Sequence, residues 1–175
     1  MNLLEIIKTR RTVRKFKDKK VEKEKIEKII EAARWAPSSA NLQPMEFIII
    51  EDVAIKQKIS EVTGHKRYNF APVVIIACIN YERYNKITRY YDLRTQLGLI
   101  DASLAIQNLM LMAHAEGLST AWGDIFKKEE IKKLIKDLPE KIEPFILIPL
   151  GYMEGEKPPI PERRPLNEMI HWNSW

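Results

Sequence analysis

Three guanidinium groups and a hydroxyl fall within the stretch Arg10-Arg11-Thr12-Val13-Arg14-Lys15-Phe16. Guanidiniums offer paired donors to phosphate oxygens, and a threonine hydroxyl adds one more. Alternate side chains of an extended segment point the same way, so Arg10, Thr12 and Arg14 would share one face. More guanidinium lies far along the chain, in Pro161-Glu162-Arg163-Arg164-Pro165-Leu166, and one phosphate could recruit both clusters. Between them runs Ala36-Pro37-Ser38-Ser39-Ala40-Asn41-Leu42-Gln43-Pro44. Its two inner-facing prolines frame Ser38, Ser39, Asn41 and Gln43, which donate and accept hydrogen bonds and suit a ligand edge that alternates the two. Gly123 and Gly151 each follow a strand-like run, where backbone can approach a flat ligand closely.

Each motif also has a plainer reading. The arginine stretch continues through Lys17, Lys19 and Lys20 as a solvated basic surface would. Clustered Lys and Arg can neutralise a nucleic-acid backbone, which leaves a cofactor-free basic binding module as the alternative of another class. Against it, Glu22, Glu24 and Glu27 follow at once, and no nucleic-acid motif accompanies the cluster. The proline-framed loop equally serves as a helix-to-strand connection. No catalytic triad stands out. Cys78, the single cysteine, lies inside the most apolar run and reads as a buried, inert thiol. His65, His114 and His171 share no metal-ligand spacing, so no metal site is expected, and His114 reads as structural. Trp122 suits a ligand flank or a packed core equally.

The elements that would position these groups follow from periodicity. Residues 2–9 suit a short helix, and Val21 to Trp35 a longer one, with Ile26, Ile29, Ile30 and Ala33 on one face. Pro37 stops it. Met45 to Ile50 reads as a strand and Val53 to Val62 as a helix. Pro72 to Ile79 is apolar throughout and predicts a strand covered on both faces. Leu93 to Glu116 predicts a helix of roughly 36 Å, ended by Gly117 as a left-handed cap. Leu118 to Trp122 reads as a strand, Lys127 to Leu138 as a helix, and Phe145 to Leu150 as a strand. Strands alternating with helices predict a layered α+β or α/β domain. Residues 1–151 form that domain, and the proline-rich 152–175 an extended arm whose Trp172 and Trp175 imply docking.

The chain has 175 residues, 45% hydrophobic and 30% charged, with a net charge of +5. That balance suits one folded domain rather than disorder. One cysteine excludes an internal disulfide and favours a reducing compartment. The run from Phe70 to Ile79 is far short of a bilayer span, and no signal core opens the sequence. A soluble, cytoplasmic domain without a membrane partner is expected. The long helix is apolar around more than one stripe, which predicts a dimer element.

The order Arg-Arg-Thr-Val-Arg-Lys-Phe, then Ala-Pro-Ser-Ser-Ala-Asn-Leu-Gln-Pro before a strand, resembles the FMN-dependent nitroreductase family. So do the stretch Asp101-Ala-Ser-Leu-Ala-Ile-Gln-Asn-Leu-Met-Leu-Met-Ala-His-Ala-Glu-Gly-Leu-Ser-Thr-Ala-Trp-Gly and the C-terminal Arg-Arg-Pro-Leu-Asn-Glu-Met-Ile-His-Trp. The resemblance implies an α+β fold with a central mixed sheet flanked by helices, an intertwined homodimer with a C-terminal arm, and one FMN in each interface groove. Position by position it places Arg10, Arg11, Thr12 and Arg164 at the phosphate and Arg14 near flavin N1 and O2. Ser38, Ser39 and Asn41 belong to the loop that embraces the flavin, with Gln43 beside them and the serines contributed by the partner. Gly123 matches the turn whose backbone approaches the flavin's reactive middle. Thr12 stands where serine is commoner and keeps the hydroxyl. The implied activity is NAD(P)H-dependent reduction of a nitroaromatic or quinone-like acceptor by ping-pong kinetics, the cofactor holding the difficult chemistry and no side chain serving as nucleophile or base. A flavin reductase or a dehalogenase-like member is the alternative within that superfamily. The short segment after Ile79 falls where the family shapes its substrate pocket.

Overall fold

A computed structural model of the chain describes residues 2–86, 93–124 and 127–175. The first helix, α1 (Leu3–Thr9), opens with a reciprocal cap: the Asn2 side chain accepts from the Glu5 amide at 3.0 Å, and the Glu5 carboxylate accepts from the Asn2 amide at 2.8 Å. Helix α2 (Lys23–Arg34) buries Ile26, Ile29 and Ala33, the stripe its periodicity predicts. Asp52 caps α3 (Val53–Thr63) by accepting from the Ile55 amide at 2.9 Å. A single turn, α4 (Arg67–Phe70), precedes the central strands. Helix α5 (Arg94–Ala115) follows a 3₁₀ turn at Tyr81–Lys86 and the undescribed segment 87–92. It ends at Gly117, whose φ of +75° lets the Leu118 amide return to the Ala113 carbonyl at 2.8 Å.

The strands are β1 (Met45–Ile50), β2 (Val73–Asn80), β3 (Ser119–Thr120), β4 (Gly123–Asp124) and β5 (Ile142–Gly151). They lie in the order β1-β2-β5, with β3 and β4 successive short pieces along the free edge of β5. All these pairings are antiparallel. The mixed character expected of the sheet is therefore confined to one isolated parallel bridge, Thr12 to Thr120. The predicted strand at 118–122 is split because Ala121 and Trp122 leave the ladder. Opposite the split, Pro149 has no N–H to give an edge partner. Pro144 sits at the register shift between Ala77 and Cys78, the other place a sheet tolerates proline.

Strand β2 is buried from Val73 to Ile79, which is why it carries no polar alternation. Val73, Ile75, Ala77 and Ile79 face the cluster formed with α2 and α5. Val74, Ile76 and Cys78 face the opposite cluster with Ile59, Tyr68 and Ile131. Helix α6 (Lys128–Leu134) is shorter than its sequence predicts. Ile135 turns extended and Asp137 takes a φ of +56°, ahead of Pro139, which disfavours helix in the residue before it.

By length and composition alone α5 could cross a membrane. Here it packs on α2 and the sheet through Gly98, Ala102, Ala105, Leu109 and Ala113. Leu99, Ile100 and Leu104 on its other side are exposed, as are Leu3, Leu4 and Ile7 of α1. Residues 154–175 run exposed, Trp172 and Trp175 included.

Candidate functional site

The arginine segment leaves α1 extended and lies between two partners. Val13 N–H donates to the Thr120 carbonyl at 3.0 Å, and Lys17 N–H to the Tyr152 carbonyl at 2.8 Å. The predicted alternation is present: Arg11 and Val13 are buried, while Arg10 and Thr12 are half-buried and Arg14 is exposed. Arg11 faces the wrong way for a phosphate ligand. Its Nε donates to the Pro159 carbonyl at 3.1 Å and Nη2 to the Lys8 carbonyl at 2.7 Å, and Nη1 closes on the Arg10 carbonyl. It fastens the tail to the end of α1.

Arg10, half-buried, and Arg14, exposed, are the guanidiniums of this segment left open to a ligand. Partial burial, then the charges of Arg11 and Arg163, push the Arg10 guanidinium below its ordinary value. His114, whose Nε2 lies 2.9 Å from Thr9 Oγ1, is likewise lowered by burial and by Lys157, Arg10 and Arg11. The tail meets the end of α1 through the Arg11 bond to Pro159, and Arg163 lies near enough for its charge to act on Arg10. Arg164 instead binds Glu168, at 3.6 Å to the carboxylate and 3.1 Å to the carbonyl. Among the described residues, Arg10, Arg11, Arg14, Lys157 and Arg163 form no ion pair with an acid. Close by, the Thr120 hydroxyl is buried without a hydrogen-bond partner.

The proline-framed loop forms the second half of the candidate site. Ala40, Asn41 and Gln43 all adopt positive φ, at 47°, 55° and 50°. Such left-handed geometry costs non-glycine residues roughly 1–2 kcal/mol each. The loop is pinned at both ends. Ser38 Oγ accepts from the Gln43 amide at 2.9 Å, and Ser39 donates its amide and hydroxyl to Asp101, each at 3.1 Å. Asp101 in turn accepts from the Tyr84 hydroxyl at 2.6 Å, and burial together with that bond raises the Tyr84 pKa. A cleft of about 520 Å³ opens beside the loop, lined by Ser38, Asn41, Gln43, Phe47, Arg83 and Asp101 among others. None of Arg10, Arg11, Thr12, Arg14, Gly123 or Arg164 lines it. One copy of the chain thus presents a cationic patch and a polar loop as separate surfaces.

The two glycine turns have local explanations. A Cβ on Gly123 would meet the Tyr68 hydroxyl at 1.9 Å and the Leu147 carbonyl at 2.8 Å, and one on Gly151 would meet the Pro72 ring at 2.6 Å. Trp122 is about one-third exposed and meets Phe145 edge-on at 6.3 Å. Cys78 is fully buried and its thiol is pushed up to about 12 by burial and then by Glu46, as expected of an inert core thiol.

Sequence reasoning missed Asp101 and Tyr84, and within the 161–166 cluster it singled out Arg164 where Arg163 is the guanidinium that acts on Arg10. Asp101 was open to detection as the one acid on the buried face of α5, in step with Gly98, Ala102 and Ala105. Nothing in the spacing of Tyr84 pointed to it.

The nitroreductase family model matches residues 7–66 and 63–152, nearly all of the folded part of the chain. A protein of Methanothermobacter thermautotrophicus named "Putative NADH dehydrogenase/NAD(P)H nitroreductase" is 37% identical over 157 residues, covering 87% of this chain and 78% of its own. A crystal structure from Parabacteroides distasonis bearing the same name superposes with a TM-score of 0.83 at 32% identity, covering 100% of both chains. An FMN-dependent nitroreductase of Clostridium difficile does so at 0.82 and 28%, covering 98% of this chain and 99% of that one. The chain belongs to the nitroreductase family.

Proposed function

We propose that this chain is an NAD(P)H-dependent FMN oxidoreductase that reduces nitroaromatic or quinone-like acceptors. The observation that carries the reading is the cationic face of Arg10 and Arg14, with Arg163 of the tail acting on Arg10 and no acid paired to any of them among the described residues. Such a face suits a phosphate monoester. The family relatives point the same way, since one is named FMN-dependent and others NAD(P)H nitroreductases.

The residues present fit FMN. Arg10 and Thr12 hold its phosphate, joined by Arg163 or Arg164, while Arg11 braces the segment from beneath. The orphan Thr120 hydroxyl gives the same edge a spare donor. Asn41 and Gln43 offer amides to the pyrimidine edge, with Ser38 and Ser39 shaping their loop. Gly123, whose lack of a side chain is already required by Tyr68, would let its backbone come close to the flavin ring. When bound, FMN supplies the redox chemistry, accepting electrons from a nicotinamide and passing them to the acceptor. Arg14 places a cation where the reduced ring gathers negative charge, an interaction worth a few kcal/mol at about 4 Å and an effective dielectric near 20.

The separation of the patch from the loop is met by a homodimer in which one copy's loop completes its partner's site. The exposed faces of α1 and α5 supply the contact, and residues 152–175 the arm that crosses it. The setting is cytoplasmic. Purified protein should be yellow, and steady-state lines at varied NAD(P)H and acceptor should be parallel. Intersecting lines would exclude ping-pong exchange. A colourless protein that takes up no added FMN, yet binds nucleic acid in a salt-sensitive way, would replace the enzyme with a binding module.

A further inference from the structure

We propose that Asp101 is a positioning residue that holds the 38–43 loop in its flavin-binding shape; the inference rests on the FMN reading above. Asp101 is a carboxylate on the buried face of α5, only 3% exposed, with no cation paired to it among the described residues. Three donors replace its solvent: the Ser39 amide, which both oxygens share at 3.1 Å, the Ser39 hydroxyl at 3.1 Å, and the Tyr84 hydroxyl at 2.6 Å. A buried charge satisfied this way is costly to deprive of any one partner.

The loop it grips is the most strained stretch of described backbone. Ala40, Asn41 and Gln43 stand in left-handed geometry within four residues, with no glycine among them. Backbone of that kind persists only where its surroundings over-determine it. Asp101 on Ser39 and Ser38 on the Gln43 amide are the side-chain grips on either side of Ala40 and Asn41, added to the turn bonds Asn41 N–H to Ser38 carbonyl and Leu42 N–H to Ser39 carbonyl; of these, the Asp101 grip ties the loop to α5. Released from Asp101, the loop would relax toward ordinary φ and turn the Asn41 and Gln43 amides away from the cleft. Tyr84 anchors the same carboxylate from the 3₁₀ turn at Tyr81–Lys86, whose Arg83 lines the same cleft. One buried acid therefore ties the flavin loop to the wall of the neighbouring pocket.

The test is titration of FMN, and separately riboflavin, into flavin-stripped protein, with thermal midpoints measured alongside. Asp101→Ala should weaken both flavins about tenfold or more, since it removes the two Ser39 hydrogen bonds that hold the loop and the Tyr84 bond that anchors their acceptor. Riboflavin and FMN should lose equally because the loop serves the ring, whereas Arg10→Ala should weaken FMN alone. Asp101→Asn, whose carbonyl still accepts from Ser39, should return affinity to within about threefold of wild type. Wild-type affinity in Asp101→Ala, or an Asp101→Asn variant as weak as the alanine, overturns the inference. Should Asp101→Ala fail to fold, Tyr84→Phe decides. It should weaken both flavins about threefold or more and lower the thermal midpoint while leaving the protein folded, and unchanged affinity overturns the proposal. Wild-type protein that binds no FMN overturns the underlying reading, and the inference with it.

Discussion

The Arg11 guanidinium donates to the carbonyl of Pro159, 3.1 Å away in space and 148 residues further along the chain. This buried cation holds the tail at Pro159, after the bonds of Lys17 to Tyr152 and of Glu154 to Lys15 have fixed its start. Beyond it, Arg163 comes close enough for its charge to act on Arg10. A residue type that suits phosphate is engaged here by backbone carbonyls.

Arg11→Ala should cost about 2–3 kcal/mol of stability, because it deletes several charge-assisted hydrogen bonds at a buried site. Urea titration would show a lower midpoint at constant slope, and limited proteolysis after Gly155 should accelerate. An unchanged midpoint would mean that the tail is held elsewhere.

Arg14→Ala should leave stability within about 0.5 kcal/mol, since the residue is exposed and unpaired. Its effect belongs to the flavin. The bound cofactor's midpoint potential should fall by about 30 mV or more, equivalent to about 1.4 kcal/mol for a two-electron couple. Spectroelectrochemistry on the FMN-loaded protein reads this directly, and an unmoved potential would remove the role given to Arg14.

Gly123→Ala should destabilise by about 2–3 kcal/mol, as the new methyl would collide with Tyr68 and with the Leu147 backbone. Tyr68→Phe in the same chain should recover part of that loss by removing the nearer oxygen. A double-mutant cycle on thermal midpoints would expose the coupling. Additive losses would show that the two residues do not compete for the space.

Alkaline stability should track Cys78. Its folded thiol ionises near 12 against an ordinary value of 9.0, so below pH 9 both states are protonated and the contribution is complete. Between pH 9 and about 12 the unfolded chain releases its proton first, and stability falls. Cys78→Ala should flatten that part of the stability curve, at the cost of a small cavity.

Sedimentation at micromolar concentration should give a dimer. Removing residues 156–175 should weaken it, since Ile160, Trp172 and Trp175 stand exposed on a single copy. A monomeric full-length chain would leave the apolar faces of α1 and α5 without a partner.

The elements most legible in the sequence were those with a strong period or a sharp stop. Strand β2 is an unbroken apolar run between Pro72 and Asn80, and α5 runs uninterrupted to Gly117. The Arg10, Thr12 and Arg14 face was readable because an extended chain alternates, and burial of Arg11 and Val13 follows the same rule. What alternation does not report is the occupant of the buried side, so the carbonyls gripping Arg11 were invisible. At Gly123 the close approach was legible but its local partner was not: a glycine after a strand marks such a place, and the Tyr68 hydroxyl, 55 positions earlier, comes near it. The strain at Ala40, Asn41 and Gln43 was hidden because none is the glycine that usually advertises such geometry. The ends of α6 and the break between β3 and β4 depended on pairing with β5, which no local window contains.

With its sole sulfhydryl sealed inside β2, the protein is a ready blank for site-specific labelling. A cysteine introduced on the arm or on the flavin loop would be the single reactive thiol at neutral pH. A spin label or dye placed there would report distances between copies without background from Cys78.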